Sequence, residues 1–177
     1  MSNNIYIIGF MGTGKTTVGA LLSKSLNASF VDTDKLIEES MAMPVYKIFE
    51  VYGEEFFRQL EHNALQALAT KKGLVVSTGG GIVTHPGNMA IMRKSGIIVC
   101  LEASVDTTMK NIGKGEGRPL INSEDIRRSI EELMEKRSYL YHKADIIVRI
   151  DDKQPQAVSD EIIAFLKQKG ALNGTYR

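Results

Sequence analysis

A glycine-rich segment near the start of the chain has the residues needed to hold a phosphate. Residues 9–16, GFMGTGKT, match the pattern G-x-x-x-x-G-K-[ST] in full, and they lie between an apolar run and a helical pattern. Glycines let the backbone wrap closely around phosphate oxygens, so that N–H groups of the loop and of the helix start point at the anion. We expect Lys15 to neutralise the β- and γ-phosphates of a nucleotide and the Thr16 hydroxyl to ligate Mg²⁺.

Two aspartates follow the second apolar run, in the segment FVDTDKLIEE. Ligands of α/β sheets bind beyond the carboxyl ends of the strands, which is where Asp32 and Asp34 are expected. Aspartate is also a favoured helix N-cap, which is the simpler interpretation, but only one of the two can be the cap. Beside a nucleotide, Asp32 could hold Mg²⁺ directly or through water. Asp34 could accept a hydrogen bond from an acceptor hydroxyl and orient it for attack.

Arginines in two predicted helices could bind an anionic acceptor. Arg58, in EEFFRQLE, either pairs with Glu61 on the helix surface or borders a cleft. Arg137, in MEKRSYLYHK, is a second guanidinium, and two converging guanidinium groups bind a planar carboxylate well. The interpretation as an acceptor clamp therefore depends on whether the fold brings the two arginines together.

Three consecutive glycines, residues 79–81, directly follow the apolar run LVVST. One glycine would suit an ordinary turn, whereas three indicate backbone that closely approaches a ligand or twists freely, and their N–H groups could contact a small polar substrate. The run LVVST contains no acid at the position where P-loop proteins commonly carry a metal-binding aspartate. Asp32 is therefore expected to bear more of the metal binding.

The positions of these residues require a particular arrangement of strands and helices. Short β-branched runs occur at residues 5–9, 29–33, 74–78, 97–102 and 145–150. Several are apolar at successive residues, as in parallel strands that are covered on both faces. Helical patterns lie at residues 15–26, 54–70, 124–141 and 155–169. The alternation predicts one doubly wound α/β domain spanning residues 1–177.

The segment NIGKGEGRPLIN, residues 111–122, is predicted to be a loop, since three glycines within five residues are unfavourable in a helix. It is either an ordinary surface connection or a mobile lid that carries Arg118. The glycine density and the pair Arg118-Pro119 favour the lid.

Composition excludes several classes of function. The chain has 177 residues, of which 22 are basic and 21 acidic, so its net charge of +1 does not indicate a nucleic-acid or membrane partner. The single cysteine, Cys100, excludes an intrachain disulfide framework. No run approaches the ~20 apolar residues that span a bilayer, and a cytoplasmic protein is expected. The histidines His62, His85 and His142 lack metal-ligand spacing and are interpreted as structural or surface residues.

Six short motifs occur in the order GxxGxGKT, DTD, FRxxE, STGGG, RPLI and KRxxLY over nearly the whole chain. In that order and spacing they resemble the shikimate kinase family; only the first is specific alone, but the ordered set is specific. The resemblance implies a three-layer α/β/α P-loop NTPase fold with a five-stranded parallel sheet, similar to nucleoside monophosphate kinases. It also implies a substrate-binding region at about residues 33–61 and a lid at about residues 111–122.

Members of that family transfer the γ-phosphoryl group of ATP to the 3-hydroxyl of shikimate. The products are shikimate 3-phosphate and ADP, on the route to chorismate and the aromatic amino acids. The resemblance therefore implies a Mg²⁺-dependent transferase whose partners are the small molecules ATP and shikimate. We expect it to be a monomer.

The resemblance also implies roles for individual residues. Those implied to hold ATP are Gly12, Thr13, Gly14, Lys15, Thr16, Thr17, Arg118 and Gln154. Those implied to hold shikimate are Asp34, Arg58, Gly79, Gly80, Gly81 and Arg137, with the arginines on its carboxylate and Asp34 on its hydroxyls. Thr16 and Asp32 are implied to bind the metal, and Lys15, Asp34 and Arg118 to act in catalysis.

Support of the adenine base is predicted to differ from the commoner pattern of the family. An arginine often stands just before the lid, whereas this chain has Lys110-Asn111. A planar guanidinium stacks on a base better than an ammonium does. After the last strand, Gln154 or the backbone around it is expected to border the base.

Two other functions are compatible with the P-loop alone. One is a kinase for another small acceptor, such as gluconate or a nucleoside monophosphate. The other is a nucleotide-binding module without transfer chemistry. A module of that kind would more often lack the set Asp34, Arg58 and Arg137.

Overall fold

In the part of the chain that the structure describes, five parallel strands form one sheet. The computed structural model describes residues 3–113 and 125–171. Its strands, β1 to β5 in chain order, are Asn4–Gly9, Ser29–Asp32, Leu74–Ser77, Gly96–Glu102 and Ile146–Arg149. They lie in the order β2-β3-β1-β4-β5, and each neighbouring pair is parallel. The predicted strands and the predicted five-stranded parallel sheet are confirmed.

Helices connect the strands. The helices α1 to α7 are Lys15–Ser25, Thr33–Met41, Val45–Ala69, Asn88–Ser95, Val105–Ile112, Ile126–Tyr141 and Pro155–Gln168, and a short 3₁₀ helix spans Ile82–Thr84. The helices predicted from apolar periodicity correspond to α1, α6, α7 and the second part of α3. The shorter helices α2, α4 and α5 were not predicted, since eight or nine residues show little periodicity.

The central strands are buried because helices cover both faces of the sheet. Along β1, Ile5 and Ile7 belong to one apolar cluster, together with residues of α1 and α7 such as Leu22 and Ile162. The alternate residues of β1 belong to a second cluster, which contains residues of α3, α4 and α6. Since successive side chains of a strand point to opposite faces, the two clusters form the two interfaces of a three-layer α/β/α fold.

The helix α3 is interrupted at Gly53, whose φ of 82° and ψ of 170° are not helical. The residues before the interruption pack with α2 around a third apolar cluster of Ile37, Ile48 and Phe57. The region predicted to bind substrate, about residues 33–61, therefore consists of α2, the first part of α3 and the first two turns after the break. This region lies beside the strand β2, at the edge of the sheet.

The loop predicted as a lid falls largely outside the described residues. Its first residues, Asn111 and Ile112, end α5, and Gly113 follows with a positive φ of 63°. The remaining residues, 114–122, and with them Arg118, lie outside the described part of the chain. Among the described helices, none combines the length and the apolar character that crossing a membrane requires.

Candidate active site

The predicted phosphate-binding loop joins the end of β1 to the start of α1. Gly12 and Gly14 have φ angles of 76° and 74°, a backbone conformation that residues with side chains rarely adopt. The first helical residue is Lys15, and Gly14 has no side chain that could cap the N–H groups of the first turn. These N–H groups, at the positive end of α1, can therefore donate to a bound phosphate.

One carbonyl group holds two side chains inside the loop. The Lys15 ammonium and the Thr13 hydroxyl both donate hydrogen bonds to the Phe10 carbonyl oxygen, each at 2.8 Å. A cavity of about 550 Å³, which we call the phosphate cavity, lies against the loop, and its lining includes Gly12, Lys15, Thr16, Thr17, Asp32 and Asp34. Of residues 12–17, all but Thr13 therefore share one cavity with both aspartates.

Thr16 and Asp32 are in direct contact at the edge of the phosphate cavity. The Thr16 hydroxyl donates a hydrogen bond to Asp32 Oδ2 at 2.7 Å and lies 3.5 Å from Ser77 Oγ. Asp32 Oδ1 accepts hydrogen bonds from the N–H groups of Asp34 and Lys35, so Asp32 also caps α2. The interpretation of Asp32 as a helix cap therefore describes Oδ1, while Oδ2 contacts Thr16, the other residue that is predicted to bind the metal.

The chemistry of this group of oxygens fits Mg²⁺. Hydroxyl and carboxylate oxygens are ligands that Mg²⁺ prefers, and Mg²⁺ usually takes only one or two of them from the protein, together with substrate phosphates and water. Within residues 3–113 and 125–171 no cluster of three or more histidine, cysteine, aspartate or glutamate side chains could hold a metal ion by itself. Thr16 and Asp32 therefore suit a metal that arrives with a nucleotide.

Asp34 is a buried carboxylate with an open hydrogen-bonding position. Its Oδ1 atom is inaccessible to solvent and has no hydrogen-bond partner among the described residues. Burial raises the pKa of Asp34 to about 6, the charge of Asp32 adds to this effect, and Lys15 opposes it. Buried polar atoms are normally paired, so the unpaired Oδ1 is unusual. A hydroxyl donor can reach the Asp34 carboxylate from the phosphate cavity, which this residue lines.

Arg58 forms ion pairs with two carboxylates of α3. Its Nη1 donates to Glu61 Oε2 at 2.5 Å, while Nε and Nη2 donate to Glu54 Oε1 at 3.2 Å and 2.8 Å. The guanidinium also lies 5.7 Å and 5.6 Å from the ring centroids of Phe49 and Phe57. The pairing of Arg58 with Glu61 that the sequence suggested is present, but the pair lies at the site and is mostly buried.

Glu61 lies between Arg58 and Asp34. Its side chain is completely buried, and its Oε1 atom has no hydrogen-bond partner in the described part of the chain. Burial raises the pKa of Glu61 to about 7, and the charge of Asp34 adds to this effect. The charges of Arg58 and Arg137 oppose it. The site therefore contains two buried carboxylates and two arginines that interact electrostatically.

The three glycines pack directly against these charged groups. A Cβ atom on Gly79 would collide with Glu61 Oε1 and would lie 2.7 Å from Asp34 Oδ1. A Cβ atom on Gly81 would collide with the guanidinium of Arg58, and one on Gly80 would lie 3.3 Å from the Met11 nitrogen of the phosphate-binding loop. The glycines are therefore needed for the close approach of these side chains and of the phosphate-binding loop, and their contact with a ligand stays a prediction. The N–H of Gly79 itself donates to Thr33 Oγ1 at 3.1 Å.

The helix α6 brings Arg137 to the same part of the molecule. Arg137 is buried, and one turn later the Tyr141 hydroxyl donates a hydrogen bond to the Gly80 carbonyl oxygen at 2.6 Å. Burial raises the pKa of Tyr141 to about 12, while the charges of Arg137 and Arg58 oppose this effect. Both arginines thus act electrostatically on Glu61 and Tyr141, two residues that contact the glycine segment.

A second cavity, of about 440 Å³, lies on the other side of the phosphate-binding loop. Its lining includes Thr13, Gly14, Lys110, Asn111, Lys153 and Gln154. Asn111 Nδ2 donates a hydrogen bond to the Gly12 carbonyl oxygen at 2.8 Å. Asp151 Oδ1 accepts hydrogen bonds from Ser104 and Thr107, and these bonds join the start of α5 to the segment after β5. The predicted base-binding residue Gln154 therefore borders a cavity that opens beside the loop, together with Lys110.

Comparison with known proteins gives one consistent result. The family model described as shikimate kinase matches residues 11–167. The chain belongs to the shikimate kinase family. It is 44% identical over 168 residues to the shikimate kinase of Caldanaerobacter subterraneus subsp. tengcongensis, covering 94% of this chain and 98% of that protein. It is 42% identical over 166 residues to that of Sulfurihydrogenibium sp., covering 94% of this chain and 99% of that protein.

A solved structure agrees with the sequence relatives. The shikimate kinase from Acinetobacter baumannii, solved in complex with shikimate, superposes with a TM-score of 0.92 at 31% identity, covering 96% of this chain and 95% of that one. The fold and the family predicted from the sequence are confirmed. As a member of the shikimate kinase family the chain is an ATP-dependent phosphotransferase, and neither a kinase for another hydroxy acid nor a module without transfer chemistry is favoured.

The shikimate kinase fold thus places most of the predicted residues around the two cavities. The predicted residues that line neither cavity are Arg58, Gly79, Gly81 and Arg137, and Arg118 lies outside the described residues. The three histidines contact other residues of the protein. The rings of His62 and His85 stack with their centroids 4.2 Å apart, and His142 Nε2 lies 2.9 Å from Glu102 Oε1 near the surface. The interpretation of the histidines as structural or surface residues agrees with these contacts.

Three residues of the site had no role in the sequence prediction. Ser77 ends β3 and pairs in register with Asp32 of β2, so its position at the end of a strand could have identified it as a site residue. Glu61 follows Arg58 by three residues, and its burial could not be inferred from that spacing. Tyr141 ends the motif KRxxLY, whose spacing of four from Arg137 places both residues on one helix face.

Proposed function

We propose that this member of the shikimate kinase family transfers the γ-phosphoryl group of ATP to the 3-hydroxyl of shikimate. One observation carries the proposal for this chain. The carboxylate of Asp34 lines the phosphate cavity, and its buried, unpaired Oδ1 atom lies against Gly79 beside Glu61, which pairs with Arg58. A hydroxyl that reaches this carboxylate from the cavity is held between a nucleotide phosphate and a group that can bind a carboxylate.

The residues around the phosphate cavity form the donor half of the site. Residues 12–17 would hold the phosphates of ATP through backbone N–H groups and through the ammonium of Lys15, which neutralises charge on the transferred group. Thr16 and Asp32 would hold Mg²⁺. The ion, when bound with ATP, would neutralise charge that develops on the phosphate oxygens.

Asp34 would act on the acceptor hydroxyl. With a pKa of about 6, its carboxylate is mostly ionised at neutral pH and can accept the hydrogen bond that aligns the hydroxyl for in-line attack. As the oxygen attacks the γ-phosphorus, the hydroxyl proton passes to the Asp34 carboxylate and the bond to the β-phosphate oxygen breaks. The proton is then released to solvent or to the product phosphate.

Arg58 and Arg137 would bind the shikimate carboxylate, beside the backbone of residues 79–81. Two guanidinium groups give this end of the acceptor charge-assisted hydrogen bonds, which are stronger than hydrogen bonds between neutral groups. The second cavity, with Lys110 and Gln154 in its lining, would hold the adenine. Arg118 is proposed to bring a further positive charge to the phosphates from the lid.

We also propose that the chain acts as a single domain and as a cytoplasmic monomer. The reaction consumes ATP, which supports a cytoplasmic location.

An ADP-release assay with a panel of acceptors tests the proposal. We expect Mg²⁺-dependent and shikimate-dependent ADP formation, and no formation with gluconate or AMP. Asp34→Asn is isosteric but cannot serve as a base, so kcat should fall by roughly 10² to 10⁴ while ATP binding is retained. ADP formation with gluconate at the rate seen with shikimate would contradict the acceptor, and a normal rate for D34N would contradict the role of Asp34.

A further inference from the structure

The guanidinium of Arg58 is already occupied by carboxylates of the protein. Glu54 Oε1 accepts from both Nε and Nη2, and Glu61 Oε2 accepts from Nη1. The edge formed by Nε and one Nη nitrogen is the edge that binds a carboxylate through two parallel hydrogen bonds. A carboxylate that arrives from solvent and uses this edge must therefore replace Glu54.

The two protein partners of Arg58 differ in how readily they can be replaced. The side chain of Glu61 is 0% exposed, so its release from Arg58 would leave a buried carboxylate without its ion pair. The side chain of Glu54 is 44% exposed and can be solvated as soon as it leaves Arg58. Only the Glu54 end of this pair is exposed, since the Arg58 side chain is 11% exposed. An arriving carboxylate keeps the charge of Arg58 paired while water solvates Glu54, so exchange of Glu54 costs less than exchange of Glu61.

The interruption of α3 gives Glu54 a second favourable position. Gly53 has non-helical backbone angles, so the helix starts anew after it and Glu54 lies in the first turn of the new segment. A carboxylate at the N-terminal end of a helix is stabilised by the unpaired N–H groups and by the helix dipole. Glu54 can therefore turn away from Arg58 without losing all of its stabilising interactions.

From these contacts we infer that Glu54 is an intramolecular competitor of the acceptor's carboxylate for Arg58, and that it lowers the affinity of the enzyme for carboxylate acceptors. The inference rests on the proposed role of Arg58 in binding the acceptor. In the absence of the acceptor, Glu54 keeps the charge of Arg58 paired. When the acceptor binds, one carboxylate is exchanged for another, and a neutral molecule has no charge with which to displace Glu54.

The opposite role for Glu54 would be to orient Arg58 for the acceptor. The two roles predict effects of opposite sign when the charge of Glu54 is removed. If Glu54 competes, Glu54→Gln should lower the KM for shikimate by about two- to fivefold, the range expected for loss of a partly exposed ion pair. If Glu54 only orients Arg58, the same substitution should raise KM.

The experiment compares the KM for shikimate at saturating ATP in the wild type, E54Q, E54A and a matched control. The control is Glu55→Gln, which removes the same charge from the next residue of the same exposed turn; among the described residues Glu55 forms no ion pair. We expect a lower KM in both Glu54 variants, the wild-type KM in E55Q, and an unchanged KM for ATP and kcat in all three. Thermal unfolding of each variant checks that the fold is retained.

A neutral analogue distinguishes competition from a general change in the site. The methyl ester of shikimate lacks the charge that replaces Glu54, so E54Q should leave its inhibition constant unchanged while the KM for shikimate falls. An equal improvement for acid and ester would overturn the inference.

Arg58→Ala separates this inference from the proposed function. If R58A raises the KM for shikimate strongly but E54Q and E54A leave it unchanged or raise it, Glu54 is not a competitor and the role of Arg58 stands. If R58A leaves the KM unchanged, the proposed role of Arg58 fails, and with it the basis of the inference. In the double variant E54Q/R58A, the improvement due to E54Q should disappear.

Discussion

Asp34 and Glu61 place their unpaired carboxylate oxygens over the same backbone position, Gly79. A Cβ atom there would collide with Glu61 Oε1 and lie 2.7 Å from Asp34 Oδ1, and neither oxygen has a hydrogen-bond partner among the described residues. Asp34 comes from the start of α2, Glu61 from the second part of α3, and Gly79 from the segment after β3. The part of the site that is proposed to bind the acceptor, which we call the acceptor half, thus depends on the absence of a side chain at Gly79.

Gly79→Ala should therefore disable the acceptor half alone. Gly79 does not have a positive φ, so alanine fits its backbone conformation and only the space for the methyl group is missing. Displacement of both carboxylates should lower kcat/KM for shikimate by about tenfold or more, as expected from overpacking of a close contact. Steady-state kinetics measures this loss, and titration with an ATP analogue should show wild-type nucleotide binding. Normal kinetics in G79A would show that the two oxygens do not need their present positions.

Asp32→Asn separates the two roles of Asp32. Asparagine is as good an N-cap as aspartate, so α2 should keep its cap and the melting temperature should change little. The amide lacks the negative charge that binds a divalent cation, so the Mg²⁺ concentration for half-maximal activity should rise severalfold. Titration of activity with Mg²⁺ at fixed ATP measures this change. An unaltered Mg²⁺ requirement would mean that Asp32 serves only as the helix cap.

Arg58→Ala should weaken binding of shikimate and leave ATP binding intact. Charge-assisted hydrogen bonds contribute about 1.5–3 kcal/mol each, so loss of one predicts a KM that is about 10- to 150-fold higher. The matched control is Arg128→Ala, because Arg128 is exposed and pairs with Glu132 in the same i,i+4 manner, away from both cavities. Equal KM values for R58A and R128A would contradict the assignment of Arg58.

Glu61→Gln should make the stability of the protein less dependent on pH. Burial raises the pKa of Glu61 from its ordinary value of 4.5 to about 7 in the folded protein, so the folded state binds one more proton than the unfolded state between these values. The free energy of unfolding of the wild type should therefore fall as pH rises from 4.5 to 7, by at most about 3 kcal/mol from this residue.

Urea unfolding at several pH values, for the wild type and E61Q in parallel, measures this contribution. Glutamine keeps an oxygen that can accept from Arg58 but does not titrate, so E61Q should gain stability relative to the wild type as pH rises. Parallel pH profiles for the two proteins would show that Glu61 keeps the same charge throughout this range.

Contiguous segments of the sequence determined the phosphate-binding loop, the five strands and the longer helices. The loop depends on glycines and a lysine within eight residues, and each buried strand depends on its own apolar run, so local information suffices. The same holds for the pairing of Arg58 with Glu61, which are three residues apart on one helix. The short helices α2 and α5 were missed because their caps, Asp32 and Ser104, define them better than their periodicity does.

Only the tertiary structure decided which of these parts face one another. It determined that Asp32 meets Thr16, since the parallel order β2-β3-β1 places the end of β2 beside the loop after β1. It also determined that Glu61 is buried against Gly79, and that Tyr141 contacts Gly80 across 61 residues of sequence. Burial, unpaired oxygens and raised pKa values arise from packing between distant segments. For this reason the sequence could predict candidate residues of the site, while their contacts and charge states required the fold.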